Sequence, residues 1–245
     1  MYNDRMTMNI HQVLLCNSCG LRYPYVQGQS FGVRCPICMG ETRVLLSREL
    51  SFEPNPDRPD SFYREAAKST KKKVEQGEKR KPSRLRGVNG YSVLMDNVRS
   101  AWNVGSIFRS ADGFGFTHAY LCGITPTPEN EAVTKTSLGA EDSVTWSYHK
   151  DGVKLVKGLK KEGRRVLALE EDERAVSING ASSPLRSAQR EILIVGNEVT
   201  GVDPELLDLC DEIFYIPMRG EKKSFNVGIA FGIAAYALNN QRPEG

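Results

Sequence analysis

The chain carries its clearest chemistry near its start. Cys16-Asn17-Ser18-Cys19 and Cys35-Pro36-Ile37-Cys38 make a C-x2-C-x15-C-x2-C pattern. Each pair places two thiolates on one side of a short turn, and two such pairs complete the tetrahedron that Zn2+ prefers. Gly20 follows the first pair and Met39-Gly40 the second, where glycine lets the chain reverse sharply. With four cysteine ligands no coordination position is left for a reacting group, so the metal is expected to be structural. An iron site of rubredoxin type has the same ligands. Two disulfides would also use four cysteines, but they belong to secreted domains, and the stretch MYNDRMTMNI shows no apolar signal-peptide core. So short a segment buries little apolar surface and is expected to need the metal in order to fold.

Three further groups of polar residues lie far apart in the chain. The first is Asn103-Val104-Gly105-Ser106-Ile107-Phe108-Arg109, and the second is Gly196-Asn197-Glu198 with Thr200-Gly201. The third is Ile216-Pro217-Met218, followed by Ser224-Phe225-Asn226. Taken singly, each has an ordinary explanation. Asn103 is a good helix N-cap by type, and an arginine nearly two turns on is usually a surface or ion-pairing group. Gly-Asn-Glu suits a strand-to-turn junction, Pro217 ends a strand, and Ser224 or Asn226 caps the last helix. A guanidinium can also grip a phosphate bidentately, but it is a poor base unless its pKa is strongly depressed.

The elements that must position these groups alternate in type. Apolar runs at 91–96, 118–122, 143–148, 164–170, 191–196 and 212–217 read as strands. Helices are expected to open near Asn103, around 131–138, and over 152–162, 204–210 and 226–240. Such alternation predicts an α/β fold with a mostly parallel sheet covered by helices on both faces. Open sheets of this kind bind ligands at loops beyond the strand carboxyl ends, which is where the second and third polar groups fall. No G-x-G-x-x-G follows the first strand and no G-x-x-x-x-G-K-[ST] is present, so a nicotinamide domain and a P-loop are poorly supported.

Taken in order, N-x-G-x-x-x-R-x-A (Asn103, Gly105, Arg109, Ala111), G-N-E-x-x-G (Gly196, Asn197, Glu198, Gly201) and I-P-M … S-F-N resemble three motifs of one enzyme class. It is the SpoU (TrmH) class of RNA 2′-O-ribose methyltransferases, within the knotted SPOUT superfamily. Phe225 stands where leucine is commoner. The resemblance covers roughly residues 88–242 and leaves out the cysteines. It implies a C-terminal trefoil knot, which the small residues Gly228, Ala230, Gly232, Ala234 and Ala235 of the last helix suit by allowing close backbone packing. It also implies S-adenosylmethionine held by Gly196, Ile216, Met218 and Phe225. Asn103, Arg109, Glu198, Ser224 and Asn226 would be the catalytic group, with Arg109 handling the ribose 2′-hydroxyl and adjacent phosphate. A homodimer with the active site completed across its interface is implied as well.

Three domains are therefore expected: a zinc ribbon over 1–50, a basic linker over 51–87, and the SPOUT methyltransferase domain over 88–245. The net charge is only +3, yet residues 64–86 hold ten Lys or Arg against three Glu, and 51–63 contains three prolines. Concentrated positive charge points to a polyanion, here tRNA or rRNA, and gives the ribbon and the basic stretch an expected RNA-gripping role. Because only RNA carries the 2′-hydroxyl, DNA is excluded as substrate. No apolar run reaches the roughly 18–20 residues of a spanning helix, and a cytoplasmic location is the default. Two other readings remain: a non-catalytic RNA-binding protein on a degenerate methyltransferase fold, and base rather than ribose methylation. His11, His118 and His149 join no evident constellation, and Cys122 and Cys210 lie in apolar segments assigned to the core.

Overall fold

A computed structural model describes residues 10–26, 34–49, 90–180, 191–221 and 224–240. The expected linker 51–63 and the basic stretch 64–86 lie outside these residues. The described chain forms two sheets. The smaller contains β1 (Ile10–Cys16), β2 (Arg22–Val26) and β3 (Thr42–Glu49), antiparallel in the order β2-β1-β3. Its core is Leu14, Leu21 and Tyr23 with Cys16 and Cys35. So small a cluster cannot hold a sheet by burial alone, and it borrows Ile124 from a loop of the larger sheet.

The larger sheet has seven parallel strands in the order β6-β5-β4-β9-β7-β10-β8. They are β4 (Ser92–Asp96), β5 (His118–Cys122), β6 (Thr145–His149), β7 (Arg165–Leu169), β8 (Val176–Ser177), β9 (Glu191–Val195) and β10 (Glu212–Tyr215). Six helices connect them: α1 (Ala101–Gly113), α2 (Glu131–Ser137), α3 (Ala140–Ser143), α4 (Gly152–Lys161), α5 (Pro204–Leu209) and α6 (Val227–Asn240). Alternate residues of each central strand serve opposite faces, as a period of two requires. Val93, Met95, Leu193 and Val195 meet α1 and α6. Leu94, Ile192 and Ile194 meet α4 and α5. The chain builds outward from β4 through β5 to β6, then returns to lay β9 on the other side of β4. This reversal puts the ends of β4 and β9 side by side, a switch point at which crevices form in open α/β sheets.

Two local expectations are corrected, and one short stretch was not foreseen. The run 143–148 is not one strand: Gly139 takes φ 91°, Ala140–Ser143 forms a helical turn closed by Val144 N–H to the Ala140 carbonyl, and the strand starts at Thr145. A short buried apolar run does not tell the two apart. The first long helix starts at Ala101 rather than near Asn103. Finally, the short β8 and the following turn at Ile178–Gly180 carry no periodic pattern that would reveal them.

Candidate active site and metal centre

The turn after β9 is built from its own backbone. A Cβ on Gly196 would overlap the Gly201 and Val202 main chain, so glycine here serves the turn's closure on itself. Asn197 and Gly201 exchange backbone hydrogen bonds of 3.1 and 2.9 Å. The Asn197 Oδ1 accepts from Val199 N and Thr200 N, while its Nδ2 donates to the Asn97 carbonyl across the switch point at 2.7 Å. Gly201 sits at φ 69°, where Glu170 fills the space a side chain would need. Glu170 accepts from Val202 N at 2.8 Å, and burial raises its carboxyl above the usual range.

Glu198 projects from this turn to the start of α1. Its two oxygens accept from Arg99 N at 2.9 Å, Ser100 N at 3.0 Å and Asn103 Nδ2 at 2.9 Å. A carboxylate at a helix start is favoured by the unsatisfied N–H groups there. Ser100, not Asn103, is the N-cap, accepting from Asn103 N. Freed from capping, Asn103 accepts at Oδ1 from Asn226 Nδ2, 2.9 Å away. Asn226 in turn starts α6, its Oδ1 accepting from Gly228 N at 2.9 Å. One hydrogen-bonded chain, Glu198 to Asn103 to Asn226, thus joins the three distant polar groups.

The remaining expected site residues are not bonded into that chain. Gly105 answers to packing, since a Cβ there would overlap Thr136 and the Val133 carbonyl of α2. Arg109 is exposed and makes no hydrogen bond or ion pair among the described residues. Ser224 is exposed too, Phe225 is 42% exposed, and Ile216 and Met218 are half-buried on the loop after β10. α6 lies close along α1, with Gly228 against Ser106 and Gly232 against Ser110.

The four cysteines converge. Cys16 and Cys38 Sγ are 3.4 Å apart, Cys19 and Cys35 Sγ 3.6 Å, and all four sulfurs lie within 4.8 Å of one another. Ligands about 2.3 Å from a tetrahedral zinc would stand about 3.8 Å apart, so the donor set fits such an ion. Gly20 takes φ 73° as the turn requires, but after the second pair Met39, not Gly40, is left-handed, at φ 59°. Gly40 is needed for space, because a Cβ there would lie 2.6 Å from Ser18 Oγ.

Two polar clusters carry no sequence signal. At the end of β4, buried Asp96 accepts from Asp203 N at 2.9 Å and faces the Asp203 carboxylate, which the guanidinium of Arg22 grips from the small sheet. Burial first, and the Asp203 charge second, push Asp96 up to about 7. On β5 and β6, Ser147 Oγ bridges His118 Nε2 at 2.9 Å and His149 Nε2 at 2.8 Å, so these histidines do form a constellation. Burial lowers His118 to about 4 and lowers His149 as well. Cys122 is buried, and Cys210 donates to the Leu206 carbonyl.

Residues 90–236, more than half of the chain, match the SpoU rRNA Methylase family. The chain belongs to that family. Its large sheet and helices are therefore an RNA methyltransferase domain of SPOUT type. The tRNA (guanosine(18)-2′-O)-methyltransferase of Aquifex aeolicus is 29% identical over 154 residues, covering 62% of this chain and 70% of that protein. An RNA methyltransferase of the TrmH family from Porphyromonas gingivalis superposes with a TM-score of 0.59 at 28% identity, over 68% of this chain and 64% of that one. The SpoU methyltransferase AviRb of Streptomyces viridochromogenes, solved in complex with AdoMet, shares the fold with a TM-score of 0.57 at 23% identity, over 64% of this chain and 62% of that one. The chain thus spans less than two thirds of either structural neighbour.

Proposed function

We propose that this protein transfers the methyl group of S-adenosylmethionine to a ribose 2′-hydroxyl of tRNA or rRNA, acting as a homodimer. The observation that carries this reading is the bonded chain Glu198–Asn103–Asn226 at the carboxyl ends of neighbouring strands. Beside it, exposed Phe225 and half-buried Ile216 and Met218 supply apolar surface suited to an adenosyl group, on the loops expected to form the knot. S-adenosylmethionine, when bound, supplies an electrophilic methyl on a cationic sulfur that departs as a neutral thioether.

The chain's own residues then have distinct duties. Both oxygens of Glu198 are engaged by N–H donors, so Glu198 holds the start of α1 rather than taking a proton. Asn103 and Asn226 fix one another's carboxamides, and the Ser224 hydroxyl beside them is free to meet the ribose. Aligning the reacting oxygen contributes several kcal/mol to lowering the barrier. Arg109, six residues past Asn103, stands about 120° round the helix and about 9 Å along it, facing a different way. It shares its face with Trp102, 59% exposed, and on adjoining α6 Ile229 and Tyr236 are exposed likewise. We assign this apolar face to pairing of two copies, with Arg109 of one reaching the ribose phosphate at the site of the other. We assign Zn2+ to Cys16, Cys19, Cys35 and Cys38; metal analysis of the purified protein distinguishes it from iron.

The test uses methyl-labelled S-adenosylmethionine with tRNA and rRNA that lack 2′-O-methyl groups, followed by alkaline hydrolysis. Label retained in alkali-resistant dinucleotides is the expected result and names the RNA. Label in mononucleotides means base methylation and overturns the ribose reading. Mixing Arg109→Ala with Asn226→Ala chains should restore one intact site per mixed dimer; no recovery refutes the shared site.

A further inference from the structure

The small sheet rests on loops at the carboxyl ends of the large one, and two arginines make the joint. Arg22 donates from Nε and a terminal nitrogen to the two carboxylate oxygens of Asp203, at 2.6 and 2.9 Å. Both side chains are almost fully buried, at 6% and 5% exposure. The Arg22 main chain also donates to the Lys150 carbonyl at 2.9 Å. Gly123, at φ 64°, has no room for a Cβ, which would overlap the Asn97 side chain first and then lie 2.8 Å from the Arg22 carbonyl oxygen. Arg48 donates to the Thr200 carbonyl at 2.8 Å and to His11 Nδ1 at 3.0 Å. Burial, helped by Arg48, lowers His11 to about 4 and keeps it a neutral acceptor.

Thr200 and Asp203 belong to the turn that carries Asn197 and Glu198. Arg22 is the cation that faces Asp203, and Asp96 stands against the same carboxylate in a site closed to water. Withdrawing the guanidinium leaves a buried carboxylate beside a second acid, and such a pair separates, takes up water or takes up a proton. Each response shifts the segment whose other end fixes Glu198. Within the large domain the turn is also held by the Asn97 carbonyl and Glu170, while Asp203 donates its N–H to Asp96 and caps α5 by accepting from Glu205 N. The small sheet adds the grip on the Asp203 carboxylate and on the Thr200 carbonyl.

We propose that the cysteine ribbon is a clamp on the methyltransferase site. Arg22 and Arg48 are positioning residues that hold the Gly196–Asp203 turn, and through Glu198 the Asn103 end of α1, in the working arrangement. This rests on the methyltransferase reading above. It gives the ribbon's metal a second consequence, because an ion that folds the ribbon also sets the site without touching substrate.

The full-length, metal-loaded protein is compared with Arg48→Met, Arg22→Met and Arg22→Lys. Metal content is measured by native mass spectrometry, and amide hydrogen exchange is followed over 196–203 and 99–105. Calorimetry reads S-adenosylmethionine binding, and kinetics separate kcat from the KM for RNA. Arg48→Met, which removes the bonds of an exposed side chain to the Thr200 carbonyl and to His11 Nδ1, should keep its metal and fold while exchange at 199–203 rises about tenfold. Its kcat should fall several-fold with little change in RNA KM. Arg22→Met should exceed this in both readouts, and Arg22→Lys should recover part of each. Unchanged exchange in both methionine variants with metal retained would overturn the clamp. So would a rise in RNA KM alone, the signature of a ribbon that only grips RNA. If the wild type methylates no RNA, the functional reading fails, and the exchange measurement still decides the clamp.

Discussion

Two polar clusters hold the Gly196–Asp203 turn from opposite sides, and they differ in burial. On one side Arg22, Asp203 and Asp96 are enclosed between the two sheets. On the other, Glu198, Asn103 and Asn226 are open or half-open to solvent. Hydrogen bonds of similar length, 2.6–2.9 Å in the first and 2.9 Å in the second, therefore carry different weight. In the buried cluster a lost partner leaves a charge with no water to replace it. In the open cluster water takes the place of the lost group at small cost, and what is lost is the orientation of reacting groups. On the proposed function, stability is concentrated behind the turn and chemistry in front of it.

Removal of the metal proposed for the ribbon should have the largest effect. Structural zinc sites contribute on the order of 10 kcal/mol to folding their segments. A chelator should abolish exchange protection over residues 10–26 and 34–49 while the large sheet stays protected. Persistent protection there would show that Leu14, Leu21, Tyr23 and Ile124 suffice without an ion.

Arg22→Met comes next, at about 3–5 kcal/mol of lost stability, because it strands a buried carboxylate. The denaturation midpoint should recover when Asp203→Asn is added. A strictly additive double variant would show that the two side chains are not coupled.

Asn103→Ala reverses the pattern. Methyl transfer should fall by about 10- to 100-fold, the stability changing by less than about 1 kcal/mol. A large loss of stability with full activity would move Asn103 from the site to the scaffold.

The last expected effect is a pH dependence. Asp96 is raised to about 7 from an ordinary value of 3.8, so between these values the native state holds a proton that the unfolded chain releases. Its contribution is full below about pH 4 and is lost as pH rises through about 7. The denaturation midpoint should decline over that window, and Asp96→Asn should flatten the decline. Arg22, Asp203 and Asn97 surround the carboxyl, so a decline unchanged by Asp96→Asn would place the titrating proton elsewhere.

Much of the molecule was legible in its residues because the relevant patterns are local. The CxxC pairs, the alternation of strands and helices and the buried runs of β4 and β9 each lie within a few residues. The first, second and third polar groups could be recognised in order, although not how they touch. Asn103 illustrates the limit. Its type suits an N-cap, but Ser100 takes that duty once Glu198 arrives from 95 residues away, and Asn103 is released to join Asn226. Gly105 and Gly196 were equally visible as glycines, yet their reasons, packing on α2 and closure of the turn, exist only in three dimensions.

By itself the sequence determined the spacing of the four cysteines, the parallel α/β architecture and the order of the polar groups that match the family. The tertiary structure alone decided that Arg22 meets Asp203 across 181 residues and Arg48 meets Thr200 across 152. It likewise decided that Trp102, Ile229 and Tyr236 are left exposed. The physical reason is that periodicity and spacing record which face of its own element a residue occupies. A buried charge pair between distant segments leaves no such record, since its partner is chosen by how the finished sheets meet.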